Sequence, residues 1–194
     1  MKKLLLFLSL GLTLLQAENF VNDKEKIIME KAVSKINEMS SEIYEKTNIK
    51  IILNVLKQVP QGETLTTYEE KFQKTLTGSY VVVNFSELDK KINLIKSSDI
   101  DFIDKDEILD DFIIPLLVTK NNKVTTQQKY SAALLNGMAE ISDQVANNKK
   151  IVLTSSIGSE SKNFIDGLSF VIQIMIVLTI LAFGYAWYNR KKNG

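Results

Sequence analysis

The sequence predicts an α/β protein in which a small central β-sheet is flanked by helices as an α/β/α sandwich, followed by one C-terminal transmembrane helix. Three observations lead to this prediction. Apolar residues recur at helical spacing in several segments, two short runs are rich in β-branched residues, and residues 167–188 carry no charge over a length that crosses a bilayer. The expected order is helix, strand, helix, strand, strand, helix, helix, which is typical of a sheet with helices on its faces.

The domain is expected to open with a helix over Asp23–Lys46. Apolar residues form a narrow stripe there at helical spacing, namely Ile28, Ala32, Ile36, Met39 and Ile43. A strand over Ile49–Leu56 should follow, because this segment is short, apolar and β-branched. The next segment contains Pro60-Gln61-Gly62 and is expected to be a loop.

A short helix and a hairpin are expected next. Thr66 precedes Glu69 by the spacing of a capping box, so a helix should run to Thr75. Tyr80–Phe85 (YVVVNF) is nearly continuous apolar sequence, the pattern of a central strand that is covered on both faces. Lys91–Lys96 should pair back on it as a second strand across a short turn.

Two further helices should complete the domain. Asp104 begins another capping-box sequence, and Pro115 should kink or end the helix that follows, because proline removes a backbone donor. The last helix is expected over Gln127–Asn148. Residues 149–154 fit either an edge strand or a stiff stem.

The two ends of the chain predict export and membrane attachment. Residues 1–17 have the basic start, the short apolar segment and the small final residue of a cleaved signal peptide. An extracytoplasmic domain over 18–154 would then lead through a linker at 155–166 to a transmembrane helix at 167–188 and a tail at 189–194. As a helix this span would be about 33 Å long, close to the roughly 30 Å of a hydrocarbon core.

The tail indicates the orientation in the membrane. Arg190, Lys191 and Lys192 follow the span, and basic residues are retained on the cytoplasmic side. The sequence therefore predicts a single-pass protein of the bacterial inner membrane, with its N-terminal domain in the periplasm and its C-terminus in the cytoplasm. Gln173 within the span fits either a tolerated polar residue or a hydrogen bond to a partner helix.

Composition excludes several kinds of chemistry. The chain has no Cys and no His, so it cannot form a Ser-His-Asp triad, a Cys-His dyad, or a thiolate or imidazole metal site, and we expect no haem. Arg190 is the only arginine. Without Lys2, Lys3 and the basic tail, 19 basic and 23 acidic residues remain, a net charge of −4, which argues against nucleic-acid binding.

One acidic segment concentrates the possible metal ligands. Its members are Asp99, Asp101, Asp104, Asp106, Glu107, Asp110 and Asp111. Converging carboxylates suit a hard cation such as Ca²⁺ or Mg²⁺, and Asp99, Asp101 and Asp104 are the best candidates. The alternative is structural, with Asp104 capping a helix and its neighbours favoured by the helix dipole or facing water. No catalytic residue and no cofactor-binding residue is assigned.

The leader, the order of elements and the membrane span together resemble the TPM domain family. The resembling region covers about Ile28–Ala146, and it is carried by EIYEKTNIKIILNVL, the strand pair YVVVNF and KINLI, and ILDDFIIPLL before a Tyr-Ser-Ala-Ala-Leu helix. Family members usually follow the second strand with Gly-x-Gly-Leu, whereas this chain has Ile95-Lys96-Ser97-Ser98-Asp99. The resemblance implies an α/β domain and, through proposals for some relatives, acid phosphatase activity or divalent-metal binding.

Two functions are open at this stage. The expected one is a non-catalytic accessory, assembly or repair factor for a membrane protein complex at the inner membrane. The chain combines one domain with a membrane anchor, and it has few residue types that support catalysis. The alternative is a divalent-metal-dependent phosphatase of the periplasm, which the acidic segment and the resemblance favour. An ion or small-ligand sensor is a weaker third hypothesis, since the tail at 189–194 is too short for an effector.

Overall fold

A four-stranded sheet forms the centre of the computed structural model, which describes residues 19–119 and 123–157. Its strands, in spatial order, are β1 (Val21–Asp23), β2 (Lys50–Leu56), β3 (Tyr80–Ser86) and β4 (Lys91–Lys96). β1, β2 and β3 run parallel, and β4 pairs antiparallel with β3 as a hairpin. The three strands expected from the sequence are therefore confirmed, with ends that differ by one residue or less.

The helices are α1 (Glu30–Thr47), α2 (Leu65–Gln73), α3 (Lys105–Glu107), α4 (Ile114–Val118) and α5 (Thr126–Lys149). α1 and α5 cover one face of the sheet, and Ile36 and Leu134 from these helices belong to one buried cluster with the inward side chains of β2 and β3. α2 covers the other face, where Phe72 packs with Ile52. The predicted sheet with helices on its faces is thus confirmed for the domain.

Several predicted segments lie outside the described residues. They are the signal peptide at 1–17, most of the linker at 155–166, the span at 167–188 with Gln173, and the tail at 189–194. Of the helices that the structure describes, none combines the length and the apolar character that crossing a bilayer requires.

The helix predicted to begin at Asp23 begins instead at Glu30, and an unexpected strand, β1, precedes it. The Asp23 carboxylate accepts hydrogen bonds from the backbone N–H groups of Ile27 at 2.9 Å and Ile28 at 3.0 Å. Aspartate competes for backbone donors in this way at turns, so the chain turns between β1 and α1. Ile27 and Ile28 are buried within this segment, and Ile28 has the spacing of the apolar stripe although it precedes α1.

The capping box of α2 lies two residues earlier than the sequence pattern suggested. Thr64 accepts a hydrogen bond from the Thr67 N–H at 3.2 Å, and the Thr64 N–H donates to the Thr67 hydroxyl at 2.8 Å. The expected pair of Thr66 and Glu69 is therefore wrong. Glu69 is buried against the sheet instead, with 3% of its surface exposed.

Pro115 changes the helix geometry near the predicted position. Ile108–Ile113 is a π-helical segment, and the N–H of Ile114 donates to the carbonyl of Leu109, five residues back. Proline has no N–H to offer the carbonyl four residues before it, and a wider turn at this point accommodates that loss. The helix then continues as α4 to Val118, so its geometry changes and it does not end.

Residues 151–156 form a stem that is fastened to the domain, and no strand pairing occurs there. The Glu42 carboxylate in α1 accepts hydrogen bonds from the backbone N–H groups of Thr154 at 2.8 Å and Ser155 at 2.7 Å. The Ser156 hydroxyl donates to Asp143 of α5 at 2.7 Å. Of the two sequence interpretations, the stiff stem agrees with these contacts, and the chain leaves the domain beside the C-terminal ends of α1 and α5.

We expect Glu42→Gln to lower the free energy of unfolding by about 1–3 kcal/mol at neutral pH, because a carboxylate that accepts several hydrogen bonds is lost. Burial raises the pKa of Glu42, but hydrogen bonds from Lys46, Ser155 and Thr154 outweigh it and hold the pKa well below 4.5. The stabilisation is therefore complete above pH 4.5 and declines as the pH falls towards the folded-state pKa.

Urea unfolding of the full chain in detergent, followed by circular dichroism from neutral pH to about pH 3, measures this difference. Glu38→Gln is the matched control, because Glu38 is exposed on the same helix and forms a surface ion pair with Lys35. A Glu42→Gln effect that is independent of pH over this range would contradict the role of the charge.

Gly137 marks a close approach between α5 and the π-helical segment. A Cβ at this position would overlap Cγ1 and Cδ1 of Ile113. We expect Gly137→Ala to lower the free energy of unfolding by about 1–3 kcal/mol, because overpacking displaces neighbouring groups. In an Ile113→Ala background the same substitution should cost less by urea unfolding, and an equal cost in both backgrounds would refute the steric explanation.

Candidate functional site

A cleft of about 720 Å³ opens where β3 ends and β4 begins, between the start of α2, α4 and the start of α5. Its apolar lining comes from all of these elements: Leu65, Phe85, Ile92, Ile114, Leu117 and Tyr130. The carboxyl ends of parallel strands are where open α/β sheets bind ligands, so this is the expected place for a site.

Two aromatic rings form part of the cleft wall. Phe85 and Tyr130 pack edge to face, with ring centroids 4.9 Å apart. Burial, followed by the nearby charge of Glu87, raises the pKa of the Tyr130 phenol. The phenol is therefore neutral at physiological pH, and its hydroxyl is able both to donate and to accept a hydrogen bond.

Exposed apolar side chains occur on the chain segments that form the cleft, and one of them, Val118, lines it. Among the described residues, the large hydrophobic side chains with high exposure at this end are Leu88 (56%), Leu116 (37%), Val118 (67%) and Val124 (42%). Leu88 belongs to the turn between β3 and β4, Leu116 and Val118 to α4, and Val124 directly precedes the N-cap of α5. Apolar groups grouped in this way around a cleft are typical of a binding surface.

Three lysines line the same cleft. Lys90 ends the hairpin turn, Lys91 begins β4, and both are exposed. Lys129 lies near the start of α5 with its ammonium 6.0 Å from the centroid of the Tyr130 ring. Glu87 is the half-buried acidic residue on the same wall. The accessible charge of the cleft is therefore predominantly positive.

A row of asparagines, buried at its centre, crosses the sheet and ends at the cleft. Asn22, Asn54, Asn84 and Asn93 are register partners on β1 to β4. The Asn22 amide donates to Asn54 Oδ1 at 2.7 Å, and the Asn54 amide donates to Asn84 Oδ1 at 2.8 Å. Asn54 and Asn84 are at most 1% exposed, so the hydrogen bonds between the side chains replace the water that these amides lose.

Glu69 of α2 terminates this asparagine row. The Asn84 amide donates to Glu69 Oε1 at 3.1 Å, and the Asn93 amide donates to Glu69 Oε2 at 2.7 Å. Because each amide donates towards the carboxylate, the dipoles of the row are aligned with its negative charge. Glu69 thereby holds α2 against β3 and β4, and this contact shapes one wall of the cleft.

The sequence indicated this site only weakly. Asn54 and Asn84 each interrupt an otherwise apolar strand, and a polar residue at the same place in two buried strands was the available signal. Glu69 was interpreted as a helix cap because Thr66 precedes it by the appropriate spacing. The lysines could not be assigned to one surface without knowledge of the hairpin register.

The residues predicted to bind a metal have separate structural contacts. Asp99 accepts a hydrogen bond from the Ser79 hydroxyl, and this contact and one from Ser97 lower the Asp99 pKa. Asp104 accepts hydrogen bonds from the N–H groups of Asp106 at 3.0 Å and Glu107 at 3.1 Å, so it is the N-cap of α3. Asp101 is exposed.

Within residues 19–119 and 123–157, no group of three acidic side chains lies close enough together to hold a metal ion. Asp104 caps α3, as the structural interpretation of the acidic segment predicted. The assignment of Ca²⁺ or Mg²⁺ to Asp99, Asp101 and Asp104 stays a prediction from the sequence.

The comparison with known proteins bears on the fold. No protein-family model matches the chain. No curated protein matches its sequence. The chain is similar to a solved structure, the solution NMR structure of the N-terminal domain of a protein from P. gingivalis, with a TM-score of 0.54 and 10% sequence identity over 70% of this chain and 87% of that chain. That domain has a TPM-domain-like fold, and at this identity the similarity shows the fold alone.

We expect Glu69→Ala to lower the free energy of unfolding by about 2–4 kcal/mol, because the amides of Asn84 and Asn93 would each lose an acceptor in a buried setting. Asn22→Ala removes the exposed end of the same row and should cost less than about 1 kcal/mol, because water can replace it. Urea unfolding of the full chain in detergent compares the two variants. Equal losses of unfolding free energy in the two variants would show that burial does not determine how much each hydrogen bond of the asparagine row contributes.

Proposed function

We propose that this chain is a TPM-type accessory protein of the inner membrane that has no catalytic activity and assists the assembly or repair of a membrane protein complex. In this proposal the domain lies in the periplasm, residues 167–188 anchor it, and the tail at 189–194 is cytoplasmic. The domain acts by binding a protein of the complex through the cleft at the end of β3.

The observation that carries this proposal is the apolar surface around the cleft. Val118 lines the cleft, and Leu88, Leu116 and Val124 are exposed on the hairpin turn, on α4 and before α5, close in sequence to residues that line it. Apolar side chains that are exposed to water have a free-energy cost, and folding of the domain does not remove it. A binding partner that covers these side chains does remove it. The cleft itself supplies the concave centre that such a surface needs.

The position of the stem supports the same proposal. Ser155 and Ser156 lie beside the ends of α1 and α5, near the end of the sheet at which β2 and β3 begin. The cleft lies at the opposite end of the strands, where β3 ends. A domain that is tethered through this stem would turn its cleft away from the point of attachment and towards a partner that projects from the membrane.

The alternative function, a divalent-metal-dependent phosphatase, receives less support. Its candidate ligands Asp99 and Asp104 are engaged by Ser79 and by the first turn of α3. The cleft offers a carboxylate, Glu69, whose two oxygens already accept amide hydrogen bonds. Phosphoester turnover that is lost on Asp101→Asn would restore this alternative.

We expect a photo-crosslinking residue at Val118 to capture a specific membrane protein in living cells, because this side chain is 67% exposed at the cleft. The matched control is the same residue at Val152, which is 72% exposed but lies on the stem at the other end. Mass spectrometry of the crosslinked products identifies the captured protein.

The outcome is decided by the difference between the two positions. A membrane protein captured from Val118 and not from Val152 supports cleft-mediated binding. Identical products from both positions, or products from Val152 alone, would contradict the proposed function.

A further inference from the structure

We infer that the cleft receives an apolar segment of a partner protein that also carries acidic side chains, with its apolar groups against the cleft floor and its carboxylates against Lys90, Lys91 and Lys129. The inference rests on the proposed function and adds the chemistry of the partner. It draws on the sign of the charge at the cleft, on how these lysines are bonded, and on the shape of the surface.

The local charge of the cleft is opposite to that of the domain. The chain between its two ends carries a net charge of −4. The residues that line the cleft nevertheless include three lysines and two glutamates, and one of these, Glu69, is 97% buried. A positive site on an acidic surface attracts negative groups to that one place and repels them elsewhere, so it favours both the rate and the specificity of encounter.

In the part of the chain that the structure describes, the three cleft lysines lack a carboxylate partner within salt-bridge distance, and the Lys129 ammonium lies over the Tyr130 ring. None of the salt bridges among the described residues involves Lys90, Lys91 or Lys129, whereas Lys35, Lys46 and Lys71 each pair with a glutamate. The aliphatic parts of such lysines can lie along apolar surface while their ammonium groups remain in water. A partner segment would therefore meet an apolar floor with cations at its edge.

The buried carboxylate of Glu69 does not require a positively charged group from a binding partner. Both of its oxygens accept amide hydrogen bonds, at 3.1 Å from Asn84 and 2.7 Å from Asn93. A carboxylate that is stabilised in this way needs no cation from outside. The charge preference of the cleft is then set by the lysines.

The shape of the surface favours a protein segment over a lipid. An apolar floor with cations at its edge also suits the acyl chain and anionic group of a lipid. Exposed apolar side chains, however, also occur outside the cavity on segments that contribute to it, at Leu88 on the hairpin turn and Val124 before α5. An acyl chain would leave these outer side chains exposed, whereas a polypeptide segment with several side chains would cover them.

The test uses the full chain in nanodiscs of zwitterionic lipid and a fluorescent peptide in which Leu or Phe alternates with Asp or Glu. Fluorescence anisotropy should show saturable binding. The triple variant Lys90→Glu, Lys91→Glu, Lys129→Glu should bind this peptide about tenfold more weakly, because three attractive charge contacts are replaced by repulsive ones. The control Lys24→Glu, Lys31→Glu, Lys74→Glu makes the same change in net charge on exposed residues outside the cleft and should bind as the native chain does.

A second probe isolates the sign of the charge. A peptide with Lys in place of each Asp and Glu should bind the native chain weakly and the cleft triple variant more tightly. Added salt should weaken binding of the acidic peptide to the native chain. Circular dichroism of each variant confirms that the fold is retained.

The outcomes separate this inference from the proposed function. If cleft and control variants bind the acidic peptide equally, the charge preference is refuted, while specific crosslinking from Val118 would still support the proposed function. If vesicles of anionic lipid bind and the peptide does not, the protein class of the ligand is refuted. If the peptide does not bind and Val118 captures nothing specific, both proposals fail.

Discussion

The hydrogen bonds that two asparagines donate to the buried carboxylate of Glu69 hold the two layers of the cleft together. Without them α2 would rest on the sheet through apolar contacts such as Phe72 on Ile52, which do not specify one register. A buried carboxylate tolerates only a placement in which its oxygens find donors, so its position is strongly determined. This requirement fixes α2 over β3 and β4 and thereby defines the wall of the cleft. The asparagine row also fixes the register of β2 against β3, because Asn54 and Asn84 must lie opposite each other to form their hydrogen bond.

The two ends of the domain are specialised in different ways. At one end the ends of α1 and α5 hold the stem through Glu42 and Asp143, with hydrogen bonds that satisfy the polar groups of the chain as it leaves. At the other end the apolar side chains Leu88 and Val118 are exposed, as Val152 is on the stem. Strand direction explains this division, since β2 and β3 begin near the stem and end at the cleft. The stem and the cleft therefore lie at opposite ends of the domain.

Much of the fold follows from sequence pattern, and the site follows from it only in part. The strands β2 to β4 and the helix α5 have long periodic or β-branched segments, so local physics determines them. β1 was missed because it has three residues, and its pairing with β2 comes from tertiary contacts. Glu69 was misassigned because the spacing from Thr66 to Glu69 matches a capping box, whereas its burial depends on donors from two distant strands. A sequence pattern within one helix carries no information about such donors.

Charge shows the same distinction between local and long-range information. Composition gives a net charge of −4 for the chain between its ends, and from that value alone an acidic partner would be disfavoured. The fold brings Lys129 of α5 to the same cleft as Lys90 and Lys91 of the hairpin, although nearly forty residues separate them in sequence. Electrostatic attraction at a binding surface depends on charges within about a Debye length, roughly 8–10 Å, and not on the total. The positive charge at this cleft is therefore a property of the topology, which places separate lysines beside one apolar floor.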